Sequence, residues 1–143
     1  MNRAELLDSF TSSLQEMYDT EVFDSAIEFC QGESRVLFYL HMHDEAEIYP
    51  SDISDSLYVT RQRITSILSS LRKKGYVYME MAKNDRRKMR VTLTDNGRSH
   101  IVAKEAEMKN YFGSLIDVLG EKNIQEMTRL IKLTNDQFKQ IKK

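Results

Sequence analysis

The chain has little with which to make sharp turns or cross-links. Its 143 residues include one proline, five glycines and one cysteine. A single cysteine excludes an intramolecular disulfide framework. So little proline and glycine favours long helices over a β-rich fold. Long apolar runs are missing too. The longest, Val36 to Leu40, is far too short to span a bilayer, so no membrane association is expected. Arg3, Glu5 and Asp8 interrupt the N-terminus, which argues against a secretory signal and for a cytoplasmic location. There is no Gly-rich phosphate loop, no nucleophile motif and no recognisable acid/base pair among the carboxylates, so neither an enzyme nor a cofactor is expected. What remains is enough for one soluble domain with a real core, since 41% of residues are hydrophobic and 30% charged.

Charge is present in both signs but unevenly placed. The window from Thr60 to Arg90 holds ten basic residues against Glu80 and Asp85, a net charge of +8. The rest of the chain holds 11 basic and 20 acidic residues, a net charge of −9. The near-neutral total of −1 therefore hides a basic segment on an acidic body. Such asymmetry points to a polyanion, whose counterions the cations would release.

The stretch from Tyr49 to Gly97 has the order helix, turn, helix, strand, basic loop, strand. Pro50 suits a first helical position, and Asp52 in the first turn complements the helix dipole. After a turn at Tyr58-Val59, Thr60 can cap a second helix running to about Lys74. Ile64, Ile67, Leu68 and Leu71 form its apolar stripe. Gln62, Ser66, Ser69 and Lys73 lie opposite, flanked by Arg61, Arg63 and Thr65. Gly75 suits a left-handed stop. Tyr76–Met81 and Val91–Leu93 read as two strands. Between them Ala82–Arg90 reads as a loop of nine residues, crowded by Arg86, Arg87, Lys88 and Arg90. This is the order of a winged helix-turn-helix.

On either side the pattern is helical. Leu6, Leu7, Phe10, Leu14, Met17, Tyr18, Val22, Phe23, Ala26 and Ile27 predict one long helix over residues 3–29. Glu33–His43 predicts a second, apolar nearly all round and hence central. Asp44–Glu47 reads as an acidic linker. Thr94 can cap a helix from Asp95 to Leu119, Gly120 can stop it, and a last helix follows from about Lys122 to Ile141. The first helix and the last two carry more apolar surface than one small module can cover, which predicts a symmetric homodimer. The fold class is thus mainly α with a small β-hairpin wing, in a single domain over 1–143. The winged helix-turn-helix spans 33–98, and dimerisation helices span 1–30 and 99–143.

Asp85-x-Arg87 followed by Val91-x-Leu93-Thr94-x-x-Gly97, after a helix ending in Leu71-Arg72-Lys73-Lys74-Gly75, resembles the MarR family of bacterial transcription regulators. Tyr58 departs from the small residue common at that turn. The resemblance implies a dimer with interleaved terminal helices on a pseudo-palindromic operator in double-stranded DNA, most often as a repressor. It also implies that Arg87 inserts into the minor groove while Asp85 orients it, and that small-molecule effectors sit between the dimer helices and the winged domain. Tyr18, Phe38, Tyr39 and His41 are the candidates to line such a pocket. For the helix after Thr60, the candidates to face the major groove are Thr60, Arg61, Gln62, Arg63, Thr65, Ser66, Ser69 and Lys73. Arg61 or Arg63 has the geometry to pair with guanine, and Gln62 with adenine.

Two other readings stay open on the residues alone. One is a winged-helix module whose basic wing docks an acidic protein. The other is a redox- or metal-sensing subtype built on Cys30 or on His41 and His43. Against the metal, histidines two apart on a helix point about 200° apart and do not converge. Against the redox role, Cys30 lies near a helix C-terminus among Glu28 and Glu33, with Arg35 the one close cation, where a thiolate is disfavoured. A buried structural cysteine is expected.

Overall fold

In the computed structural model residues 1–142 are described, the side chains of Val22 and Ser25 excepted, so the Val22 of the first apolar stripe lies outside the described residues. The elements are α1 (Arg3–Asp19), a single 3-10 turn (Glu21–Phe23), α2 (Asp24–Phe29), α3 (Gly32–Met42), α4 (Pro50–Leu57), α5 (Arg61–Lys73), β1 (Val77–Met81), β2 (Met89–Leu93), α6 (Asp95–Leu119) and α7 (Glu121–Ile141). The chain divides into two compact units, Met1–Ala106 and Glu107–Lys143.

The first unit holds the core. Val36, Leu37 and Leu40 of α3, Ile53 of α4, and Ile64, Leu68 and Leu71 of α5 are buried with Val77, Val91, Leu93 and Ile101. The spacings within α3 and α5 keep these side chains on one helical face. Each fully buried Leu or Ile contributes about 1.5–3 kcal/mol, so the helix-turn-helix is held by α3 and the hairpin packed against it. β1 and β2 form an antiparallel hairpin, with Val77 opposite Leu93 and Glu80 opposite Arg90. Ile48 adds an isolated bridge to Val91, whose N–H donates to the Ile48 carbonyl at 2.8 Å. The acidic linker therefore ends as a one-residue third strand on the hairpin.

The single helix expected over residues 3–29 is broken. Thr20 is extended, at φ −96° and ψ 145°. Its hydroxyl donates to the Met17 carbonyl at 3.2 Å and its N–H to the Glu16 carbonyl at 3.1 Å. A threonine that bonds backward competes with the helical ladder. Asp19 adds a negative charge at the negative end of the dipole, with no basic residue in the last turn to offset it. Apolar spacing alone does not register such a break. Cys30 also departs from expectation: it is exposed, not buried. Ala26 and Phe29 take the inward face of α2, and Cys30 lies just past that helix as its C-cap.

Polar contacts tie the first unit together. Glu33 of α3 accepts from Lys74 Nζ at 2.7 Å and from the Ser70 hydroxyl. Burial works to raise the Glu33 carboxyl, but the Lys74 ammonium and the Ser70 hydroxyl outweigh it and hold the group below its usual range. A carboxyl depressed in the folded state adds stability that is complete above its unfolded pKa and is lost as pH falls through the folded value. Glu33→Gln is expected to lower Tm by roughly 2 °C or less at neutral pH, the pair being partly solvated. Thermal melts at stepped pH should show that difference vanish in acid. A difference that persisted unchanged in strong acid would mean that packing, not charge, carries it.

The terminal helices bury nothing. No residue of α1 or of α7 is buried within the chain. Leu6, Leu7, Phe10 and Tyr18 are exposed along α1, as are Met127, Leu130, Ile131, Phe138 and Ile141 along α7. Among the described residues, no helix is long and apolar enough to cross a membrane.

Candidate nucleic-acid interface

The turn-and-helix unit is built by local chemistry. Pro50 opens α4, and Asp52 Oδ2 accepts the Tyr49 N–H at 2.9 Å. Thr60, extended at φ −62° and ψ 150°, caps α5 by accepting the Arg63 N–H at 3.2 Å. α5 ends at Gly75, whose φ of 78° is favourable for glycine alone. Thr94 then locks this end. Its hydroxyl donates to the Gly75 carbonyl at 2.6 Å and accepts the Gly97 N–H at 3.0 Å, while its own N–H donates to the Tyr76 carbonyl at 3.0 Å. The Thr94-x-x-Gly97 spacing thus serves architecture: it fastens the start of α6 to the end of α5.

With Ile64, Leu68 and Leu71 turned inward, the other faces of α5 present Arg61, Gln62, Arg63, Thr65 and Ser66 to solvent, with Ser69 half-buried and Lys73 exposed in the last turn. Two hydroxyls are already engaged. The Thr60 oxygen accepts the cap bond, and Thr65 Oγ1 donates to the Arg61 carbonyl at 2.8 Å. Among the described residues, the side chains of Arg61, Gln62, Arg63 and Ser66 make no hydrogen bond or ion pair.

The wing is shorter than expected, because β2 starts at Met89 rather than Val91. Its tip is a tight turn in which the Lys88 N–H donates to the Asp85 carbonyl at 3.1 Å and the Arg87 N–H to Asp85 Oδ1 at 2.9 Å. Arg87 Nε lies 3.8 Å from the same carboxylate oxygen, and its side chain is 95% exposed. Asp85 therefore both forms the turn and stands beside the Arg87 guanidinium. Arg86 is exposed as well. Lys88 lies over the Tyr49 ring at 5.3 Å, a cation–π contact that ties the wing to the entry of α4. Arg90 is not on the tip. It sits on β2 opposite Glu80, pairs with Glu80, and reaches Glu47 at 3.5 Å. The Glu47 and Tyr49 contacts had no signal in the sequence, since nothing local links 47–49 to 88–90. Among the described residues, ion pairs leave Arg61, Arg63, Arg72, Lys73, Lys83, Arg86 and Lys88 of the basic segment without a carboxylate partner.

The expected effector residues do not form one wall. Phe38 packs edge-on against Phe29 at 5.1 Å. Tyr39 stacks on His43 at 4.3 Å and bonds the Ser56 hydroxyl at 3.2 Å. His41 keeps a buried Nδ1 with no hydrogen-bond partner among the described residues. Tyr18 is 61% exposed on α1. A cavity of about 230 Å³ lies elsewhere, between Leu40 of α3, His43 just past its end, the 44–48 segment, and Tyr78, Arg90 and Val91 of the hairpin. Among the described residues no three His, Cys, Asp or Glu side chains are grouped to hold a metal ion.

A two-helix turn capped at Thr60, backed by a third helix and followed by a basic hairpin, defines a winged helix-turn-helix protein. Residues 31–88 match the pattern of the MarR family. The chain is similar to the HTH-type transcriptional repressor YetL of Bacillus subtilis (strain 168), at 22% identity over 111 residues, covering 78% of this chain and 65% of that protein. It is also similar to the HTH-type transcriptional regulator PapX of Escherichia coli, at 34% identity over 80 residues, covering 56% and 49%. The chain thus spans about half to two thirds of the length of these curated relatives. In fold it is similar to Streptococcus pneumoniae FabT, solved in complex with DNA, with a TM-score of 0.72 at 19% identity over 94% of this chain and 99% of that one.

Proposed function

We propose that this protein is a cytoplasmic, sequence-specific regulator of transcription that binds double-stranded DNA as a homodimer, acting as a repressor whose hold on DNA a small-molecule effector relaxes. The observation that carries the reading is the set of solvent-facing cations on two adjoining parts of one frame: Arg61 and Arg63 at the start of α5, and Arg86 and Arg87 at the tip of the wing. Like charges that dense repel one another unless a polyanion meets them. The naming of YetL as a repressor and the DNA complex of FabT support the same reading. In this reading residues 33–98 form the DNA-binding module, α5 enters the major groove, and Arg87 enters the minor groove beside Asp85. The wing's share falls to Arg86, Arg87 and Lys88, with Arg90 bracing the hairpin through Glu80 and Glu47. Residues 1–30 and 99–143 supply the dimer contacts. An effector would act by binding two spacings of the paired winged modules with different affinity. The buried, unpartnered Nδ1 of His41 supports a polar ligand group near that histidine, with Phe38 beside it on α3.

The two basic parts should fail differently when mutated. Arg87→Ala should weaken binding on most sequences and lower the log–log salt slope by about one unit, because a minor-groove or phosphate contact carries little base code. Replacing whichever of Arg61 and Arg63 makes a bidentate guanine contact should cost about 1–3 kcal/mol on the operator and little on scrambled DNA. Half-sites should lie about one helical turn apart in a pseudo-palindrome. Alanine variants at all three positions, titrated on operator and scrambled duplexes at several salt concentrations, test this. No loss for any of them would overturn the DNA reading in favour of an acidic protein partner.

A further inference from the structure

The turn between α4 and α5 holds a tyrosine in a conformation that favours glycine. Tyr58 has φ 55° and ψ 42°, and is the one non-glycine residue with positive φ among the described residues. A side chain there costs free energy that glycine would not. The surrounding hydrogen bonds impose it. The Ser54 carbonyl accepts the N–H groups of both Tyr58 and Val59, and the buried Ser54 hydroxyl donates to the Val59 carbonyl at 2.6 Å. A strained position held by its neighbours is a recurrent mark of a functional site. Tyr58 itself is 80% exposed. Its place is telling: it stands two residues before Thr60, at the end of α5 that carries Arg61 and Arg63. When the start of a recognition helix enters the major groove, the phosphates bordering that groove lie beside the preceding turn.

We propose that Tyr58 positions the protein on DNA, its hydroxyl donating to a phosphate oxygen at the edge of the major groove. The inference rests on the DNA-binding reading above. It differs in kind from the arginine contacts. A neutral hydroxyl releases no condensed counterion, so it adds affinity on every sequence without adding to the salt slope.

The test uses the full chain and two duplexes: one enriched by the wild-type protein from a random-sequence pool, and its scrambled counterpart. Tyr58→Phe removes only the hydroxyl. Tyr58→Gly removes the side chain and relieves the backbone, so its Tm should be no lower than wild type, which separates lost binding from lost folding. Both variants should bind both duplexes about tenfold more weakly, as expected for losing one such hydrogen bond in each half of a dimer. The salt slope should not change. Binding within twofold of wild type for Tyr58→Phe overturns the proposal, whether or not Tyr58→Gly binds weakly. A loss confined to the enriched duplex overturns it too, because a phosphate contact carries no base code. If the wild-type protein binds neither duplex, the DNA-binding reading itself fails, and that outcome is distinct from either of these.

Discussion

Replacing Ile131 and Phe138 together by glutamate is expected to split the proposed dimer into monomers at micromolar concentration. Along α7, Ile124, Met127, Leu130, Ile131, Phe138 and Ile141 fall within one face about 120° wide, and none of them is buried within the chain. Ile131 is 57% exposed and Phe138 60%. A stripe of this size, left to water, forgoes about 1.5–3 kcal/mol for each large side chain. A symmetric partner recovers that for both copies. Two carboxylates in the middle of the stripe would have to be desolvated without partners, at a cost of several kcal/mol. The dimer dissociation constant should therefore rise by about 100-fold or more. Affinity for a two-half-site duplex should fall with it, since each monomer then binds one half-site alone. Sedimentation of wild type and variant, followed by titration on the same duplex, measures both. A wild-type protein that sediments as a soluble monomer would remove the dimer from the proposal.

Gly97→Ala is expected to be the most damaging single methyl group in the chain. Gly97 is buried near the start of α6, where a Cβ would overlap the carbonyl oxygen of Tyr76 and meet Leu93 Cδ1 at 3.0 Å. The obstacle is mostly backbone, so a change of rotamer cannot clear it. The Tyr76 carbonyl also accepts the Thr94 N–H, and Thr94 bonds both Gly75 and Gly97. Moving α6 outward would therefore strain the knot that joins α5, β1 and α6. Overpacking of this kind costs about 3 kcal/mol, or a Tm lower by about 10 °C. Surviving folded protein should also bind DNA less tightly, because the hairpin is anchored at the same point. Thermal melts followed by circular dichroism decide it. An unchanged Tm would mean that the approach of α6 to Tyr76 is looser than described.

Much of this architecture can be read from the chain because its signals are local. Pro50 with Asp52 opens α4, Thr60 caps α5, Gly75 ends it, and Thr94 caps α6. Each acts within four residues of its own position, and the 3.6-residue spacing of Ile64, Leu68 and Leu71 names the buried face without reference to anything else. The same holds for the charge asymmetry, which composition alone exposes. A local signal can also be masked by a regular pattern around it. Thr20 breaks the first helix because its hydroxyl and the uncompensated Asp19 both act against the ladder, yet the apolar spacing runs through them undisturbed.

Tertiary structure decided what depends on residues far apart in the chain. Arg90 looks like one more wing cation until strand pairing sets it opposite Glu80 and the bridge from Ile48 to Val91 brings Glu47 within reach. Lys88 is tied to Tyr49 by the same juxtaposition. Phe38, Tyr39 and His41 are neighbours in sequence, but the helix turns about 100° per residue, so Phe38 meets Phe29, Tyr39 meets His43 and Ser56, and His41 Nδ1 is left without a hydrogen-bond partner among the described residues. Cys30 is exposed at the C-cap of α2, beyond the inward-facing Ala26 and Phe29. In the turn at Tyr58, composition shows an unusual residue; the left-handed backbone and the Ser54 hydrogen bonds that hold it emerge when α4 and α5 are folded against each other. Short-range steric and capping terms act on a few adjacent residues and are written in the sequence. Pairings across forty residues are set by how the elements pack, and only the folded chain displays them.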